Sequence, residues 1–196
     1  MKKNILFPAV VCMAVFLGSL QTVCAQQNSG TGGPAGAILN HYAARNFTAG
    51  AIPAADLELI IQAGIRAPSA RNLQPWHFTV VQNQNLAKKM VSDNVDGNVL
   101  IVVSARGDGT TNGVQILDCA LAVESIYLAA QALGYGSRIY TGPMSALNSS
   151  LKTELSLPSG HSAVALVRVG KVQGGVDAVS AASSRKKTEE LVTYKK

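Results

Sequence analysis

Charge is scarce in this chain. Lys and Arg number 17 and Asp and Glu 11, so charged residues make up only 14% of the 196. Apolar residues make up 47%, which excludes a disordered polyelectrolyte, since that needs low hydrophobicity and high charge. Aromatics are 5%, and no Lys/Arg run is interleaved with them, which argues against a nucleic-acid partner. The 3 cysteines share no ligand spacing with the 3 histidines (His41, His77, His161), so no metal site is expected. There is no Walker A loop and no Gly-x-Ser-x-Gly elbow. Gly134-Tyr135-Gly136 lacks the third glycine of the dinucleotide fingerprint and follows a helix instead of a strand. The 18 glycines have no Gly-X-Y period.

The N-terminus is organised differently from the rest. Lys2-Lys3 precede an apolar run from Ile5 to Leu20, and Val23-Cys24-Ala25 puts small residues where a signal peptidase reads them. This is the order of a secretory signal, with cleavage expected after Ala25 and periplasmic export. An uncleaved membrane anchor and a lipidated Cys24 are the alternatives. Cleavage would remove Lys2, Lys3, Cys12 and Cys24, lowering the formal charge of +6 by two and leaving Cys119 with no intrachain disulfide partner. No later stretch reads as membrane-spanning. Residues 26–34 read as a flexible leader and residues 35–196 as one domain.

Within that domain the pattern predicts helices over Ala35–Asn46, Pro53–Ala67, Asn85–Ser92 and Ile116–Leu133. A weak helix is expected over Leu147–Leu155 and a short one over Thr188–Val192. Strands are expected over Trp76–Val81, Val99–Val103, Ser137–Tyr140 and Ala163–Val169. Ile116–Leu133 is apolar nearly all round, which predicts a central or subunit-interface helix. Gly134 supplies its stop. Cys119 lies inside that helix and reads as a small buried hydrophobe, not a nucleophile. The order of elements indicates an α+β or α/β sheet with a central helix.

One segment carries recognisable chemistry. In Ala67-Pro68-Ser69-Ala70-Arg71-Asn72-Leu73-Gln74-Pro75-Trp76, two prolines bracket a polar turn between helix and strand. Turn amides, a Ser hydroxyl, an Asn amide and an Arg together can hydrogen-bond a flat heterocycle that has both donor and acceptor edges. The bland reading is an ordinary helix-to-strand turn with Trp76 as a core anchor, and the chemistry alone does not choose between the two.

That segment resembles the Pro-Ser-x-x-Asn-x-Gln-Pro-Trp signature of the FMN-dependent nitroreductase family, and further likenesses follow in order along the chain. Arg45-Asn46-Phe47 is similar to the end of the family's N-terminal Arg-x-Ser-x-Arg-x-Phe box. Asp118–Ala130 with Gly134 resembles its long central helix, and Ile139–Gly142 the strand that ends beside the flavin. Arg185–Val192 resembles its C-terminal basic-then-Glu-Glu segment.

The resemblance implies a three-layer α/β/α sandwich with a central mixed sheet, a long central helix and a C-terminal tail swapped between the subunits of a homodimer. It implies FMN as cofactor. Arg185 and Lys187 would serve the phosphate, with His41 at the first box position, where the family has Arg; Ala43 replaces the box Ser. Arg45 would lie near N1 and O2 of the isoalloxazine ring. Ser69, Ala70 and Asn72, in the turn that Pro68 opens, would line the ring from the partner subunit, and Arg71 would contact flavin or substrate. Thr141 stands where the family is often acidic, and the Gly142 N–H would address N5. No side chain is implied as a nucleophile, because the flavin carries the chemistry. Ping-pong transfer to a small aromatic acceptor, a nitroaromatic or a quinone, is the implied reaction. The electron donor stays open between NAD(P)H, a quinol and a protein. A non-catalytic flavin- or heterocycle-binding protein and an exported interaction domain are the competing readings.

Overall fold

A computed structural model describes residues 33–107, 113–173 and 185–195. The expected signal segment, most of the leader and the middle of the tail lie outside the described residues. The leader's last two positions, Gly33 and Pro34, belong to the first helix, α1 (Gly33–Leu39).

The elements that follow are β1 (Phe47–Thr48), α2 (Ala54–Ile65), a 3₁₀ turn (Ala70–Asn72), β2 (Trp76–Val81) and α3 (Gln84–Met90). Then come β3 (Val99–Arg106), α4 (Gly113–Ala132), β4 (Gly136–Tyr140), α5 (Met144–Leu147), β5 (His161–Val172) and α6 (Thr188–Leu191). β5 is the hub of the sheet. It pairs with β3 along one edge, through Val102↔Leu166, and with β4 along the other, through Tyr140↔Leu166. β2 extends the sheet beyond β3, and β1 pairs with the far end of β5 through Phe47↔Val172.

Every pairing among the described residues is antiparallel, which corrects the expected mixed sheet. The reason is topological. β3 and β4 both run against β5 and therefore parallel to each other, joined by α4 as a crossover. Because β5 is inserted between them, the parallel pair never hydrogen-bonds.

The two faces of β3 explain the layers. Val99, Ile101, Val103 and Ala105 point into a core with Ile60 of α2 and Val123 and Ile126 of α4. Leu100 and Val102 point the other way, to Ala87 and Met90 of α3, Leu147 of α5 and the Leu151–Leu155 turns. A strand buried on both faces reads as a continuous apolar run, and Val99–Val103 is one. The register of β5 against β3 slips between Val103 and Ser104, where Val164 is the extra residue. That bulge lets Ala163 face one core and Ala165 the other.

Two expected helices end well short of their expected spans in the structure. The one predicted to Asn46 ends at Leu39, because Tyr42 gives its backbone to α4 instead: its N–H donates to Gln131 Oε1 at 3.1 Å, and its carbonyl accepts from Gln131 Nε2 at 2.9 Å. The weak helix over Leu147–Leu155 is a four-residue α5 followed by turns. There Asn148 clamps the backbone of Ala163 with both amide atoms, at 3.0 and 2.6 Å. α4 ends as expected. Gly134 has φ +85°, and the Tyr135 N–H reaches back to the Ala130 carbonyl at 3.0 Å, a Schellman closure.

Candidate functional site

The expected site residues fall into three groups. The first is the turn after α2. Pro68 is exposed; Ser69 is extended, and its Oγ accepts from the Gln74 N–H at 3.0 Å. Arg71, Asn72 and Gln74 all have positive φ, at 51°, 55° and 46°. Asn tolerates this conformation, but Arg and Gln rarely adopt it, and such strain gathers at binding sites. Arg71 and Asn72 are exposed. Trp76 follows, stacked on Phe78 with ring centroids 6.4 Å apart, and packs on the α2/α4 core. The anchoring role and the display role of this segment therefore coexist.

The second group surrounds the C-terminal half of α4. His41 meets the Tyr127 ring edge-on at 5.6 Å, and its Nδ1 pairs with the Ile38 carbonyl. Burial raises the Tyr127 pKa above its ordinary value, and the charge of Arg185 acts against that rise, so Arg185 belongs to the same neighbourhood. Gln131 is the organiser. Beyond its two bonds to Tyr42, it donates to Ser137 Oγ at 2.8 Å, and Ser137 in turn donates to the Tyr127 carbonyl at 2.8 Å. A cavity of about 220 Å³ lies here, lined by Asn40, His41, Tyr42, Gln131 and Tyr135 among others. Arg185 is exposed; outside this neighbourhood, Arg45 is exposed two residues before β1, and Lys187 is exposed with its N–H donating to Glu190 Oε1 at 3.2 Å at the start of α6.

The third group is Thr141-Gly142, exposed just past the end of β4. Nothing lies within 4 Å of where a Gly142 Cβ would stand, so its backbone is open to an approaching ligand.

Within one copy the first two groups stay apart. Asp118, beside the turn, and Tyr127, beside His41, are nine residues apart on α4, about 14 Å along a helix axis. Sequence reasoning missed Asp118, Tyr127 and Gln131 as site-building residues. Asp118 left a faint signal, as one of only two acids in the α4 sequence. It is 3% exposed, and its Oδ1 accepts from the Ala70 N–H at 3.0 Å. Cys119 beside it is fully buried. Burial first, and the Asp118 charge second, push its thiol up to about 11, so it stays protonated and unreactive at neutral pH. Among the described residues no group of three or more His, Cys, Asp or Glu is placed to hold a metal ion.

Comparison with known proteins gives this geometry its context. The model of the nitroreductase family matches residues 38–98 and 95–171. An Archaeoglobus fulgidus protein named as an NADH dehydrogenase/NAD(P)H nitroreductase is 31% identical over 125 residues, 59% of this chain and 71% of that one. A Desulfovibrio desulfuricans protein, solved in complex with FMN and named as a nitroreductase, superposes with a TM-score of 0.69 at 26% identity, over 85% of this chain and 99% of that one. The FMN-bound nitroreductase of Bacteroides fragilis superposes with a TM-score of 0.67 at 23% identity, over 82% and 97%; at that identity the likeness is one of fold. The two family matches together take in the residues before His41, the turn after α2, α4, β4 and β5 as far as Lys171, and the chain belongs to the nitroreductase family.

Proposed function

We propose that this chain is an FMN-dependent oxidoreductase that reduces flat electrophilic acceptors of the nitroaromatic or quinone type. The observation that carries the reading is the turn at Arg71–Asn72, held at positive φ, which displays the Arg71 and Asn72 side chains at the position of the family's flavin-binding signature. The relatives named above, two of them solved with FMN, support the cofactor.

The residues fit the chemistry of FMN. Its phosphate is a dianion, and the second group supplies His41 and Arg185 as donor and cationic groups, with Lys187 two residues along the chain. Arg45 is a guanidinium for the pyrimidine edge of the ring, where a cation favours the reduced form. The open backbone at Thr141-Gly142 suits the N5 edge. When bound, FMN supplies hydride transfer between donor and acceptor, so the protein needs to provide position and field, not a nucleophile.

A second copy completes this site. The separation of the turn from the His41 group along α4 supports Ser69, Ala70 and Asn72 reading the ring bound mainly by the partner. α4 also leaves Val114, Leu117 and Leu121 exposed at 53%, 60% and 38%, an apolar stripe suited to a homodimer contact. Removal of the N-terminal signal after Ala25 would place the enzyme in the periplasm, where a quinol or a protein is a more available donor than NAD(P)H. The swapped tail belongs to the same proposal.

The test is a spectrum. Residues 26–196, purified, incubated with FMN and desalted, should show the two flavin bands with quenched fluorescence. The bands should bleach with a donor and return with a quinone or nitroaromatic acceptor. A colourless protein would overturn the reading. A bound flavin that no donor reduces and no acceptor reoxidises would leave a flavin-binding protein without the activity.

A further inference from the structure

Within the turn, Asn72 N–H donates to the Ser69 carbonyl at 3.0 Å, Leu73 N–H to the Ala70 carbonyl at 3.1 Å, and Gln74 N–H to Ser69 Oγ at 3.0 Å. These bonds close the loop on itself but do not aim it. Residues held at positive φ persist only where something outside them fixes the geometry. Asp118 of α4 reaches the turn from the body of the protein, its Oδ1 accepting from the Ala70 N–H at 3.0 Å. Ala70 immediately precedes Arg71 and Asn72, so this bond sits at the root of the strained pair.

The carboxylate is an expensive way to make one hydrogen bond. Asp118 is 3% exposed, and its Oδ2 is buried without a hydrogen-bond partner. A half-satisfied buried carboxylate costs stability that an apolar residue at this helix position would not. Arg71, Leu73, Val114 and Gln115 line an open groove of about 430 Å³ together with Asp118 and Ala70. The groove, the strained pair and the under-used carboxylate therefore occupy one place.

We infer that Asp118 is the positioning residue of the cofactor-reading turn: its Oδ1 fixes the Ala70 amide and thereby sets the aim of Arg71 and Asn72. The inference rests on the proposed FMN function. Asp118 acts through the turn and is not itself a contact for cofactor or substrate.

The test compares D118A, D118N and I126V in the full domain. I126V trims the core of the same helix without touching the turn. Amide exchange at Ala70 and Asn72 reads the latch, and FMN affinity by fluorescence quenching reads its consequence. D118A should speed exchange at Ala70 and weaken FMN binding about tenfold or more, the effect of losing a hydrogen bond to a charged acceptor. D118N keeps an oxygen acceptor and should recover FMN affinity to within about threefold of wild type. I126V should lower the melting temperature while leaving both readouts unchanged. Folded D118A that binds FMN as wild type does, D118N no better than D118A, or I126V equally impaired would each overturn the inference. Wild type that binds no FMN would sink the functional reading and the positioning role together. Unchanged Ala70 exchange in a D118A protein that does lose FMN would sink the latch alone.

Discussion

His161 opens β5, and its ring meets that of His77 edge-on at 6.1 Å. Burial first, then the charges of His77, Arg106 and Lys152, lower its pKa below the ordinary histidine value. The unfolded chain therefore takes up this proton at a higher pH than the folded protein. Stability from this group is complete above the ordinary histidine range and is lost as pH falls through it toward the lower folded value. Melting temperature measured from pH 8 to pH 5 should decline, and H161Q should make the decline shallower. An identical slope in the two proteins would show that His161 is not a source of it. At this scale the sequence was legible where chemistry is concentrated, as in Pro68–Trp76, whose prolines and polar residues announce a displayed turn. It was not legible at Asp118 or Gln131. A lone carboxylate or amide on a helix is ordinarily a solvated group, and only the packed fold shows that these two grip the backbone of distant segments.

Helix α2 packs on α4 through Gly64. A methyl group built there would lie 2.7 Å from Ile126 Cγ1, 2.8 Å from its Cδ1 and 3.2 Å from Phe78 Cζ. Ile126 is fully buried and has little room to retreat. In an isolated helix Gly→Ala stabilises by about 1 kcal/mol. Here overpacking of about 1–3 kcal/mol opposes that gain. G64A should therefore be net destabilising, by about 1 kcal/mol, as read from the urea midpoint at unchanged slope. A rise in the midpoint would mean that the helices can separate at this point. Element identity was largely legible because long apolar periods and doubly buried strands leave strong patterns: β2 matches its expected span, and α4 and β3 lie within a few residues of theirs. β1 was missed because two residues carry no periodicity. The end of α1 was missed because Gln131 takes over the backbone groups that a longer helix would have used.

For the whole molecule, the order of elements was readable but the pairing was not. Nothing local distinguishes a β3–α4–β4 crossover between neighbouring strands from one that leaves a gap for β5. Leu117 is 60% exposed, so charging it costs the isolated fold little. L117E should shift a homodimer to monomer in light scattering, keep its circular dichroism, and retain less FMN after desalting. A monomeric wild type, or an L117E protein that stays dimeric, would count against α4 as the interface.

The strand on which the sheet depends, β5, is the last one among the described residues. Until residues 161–172 are available, β4 has no strand to pair with, β3 has one bare edge, and β1 waits for Val172. Synthesis therefore delivers β1 to β4 before their central strand exists. Closure rests on pairing β5 with β3, about sixty residues earlier in the chain, and such distant pairings slow folding. A nascent chain stopped short of β5 would carry the Val99–Val103 run exposed along its edge, an obvious target for chaperones. The same order of events would keep the nascent chain loose through β1 to β4, and would commit the sheet to its final shape only when β5 inserts.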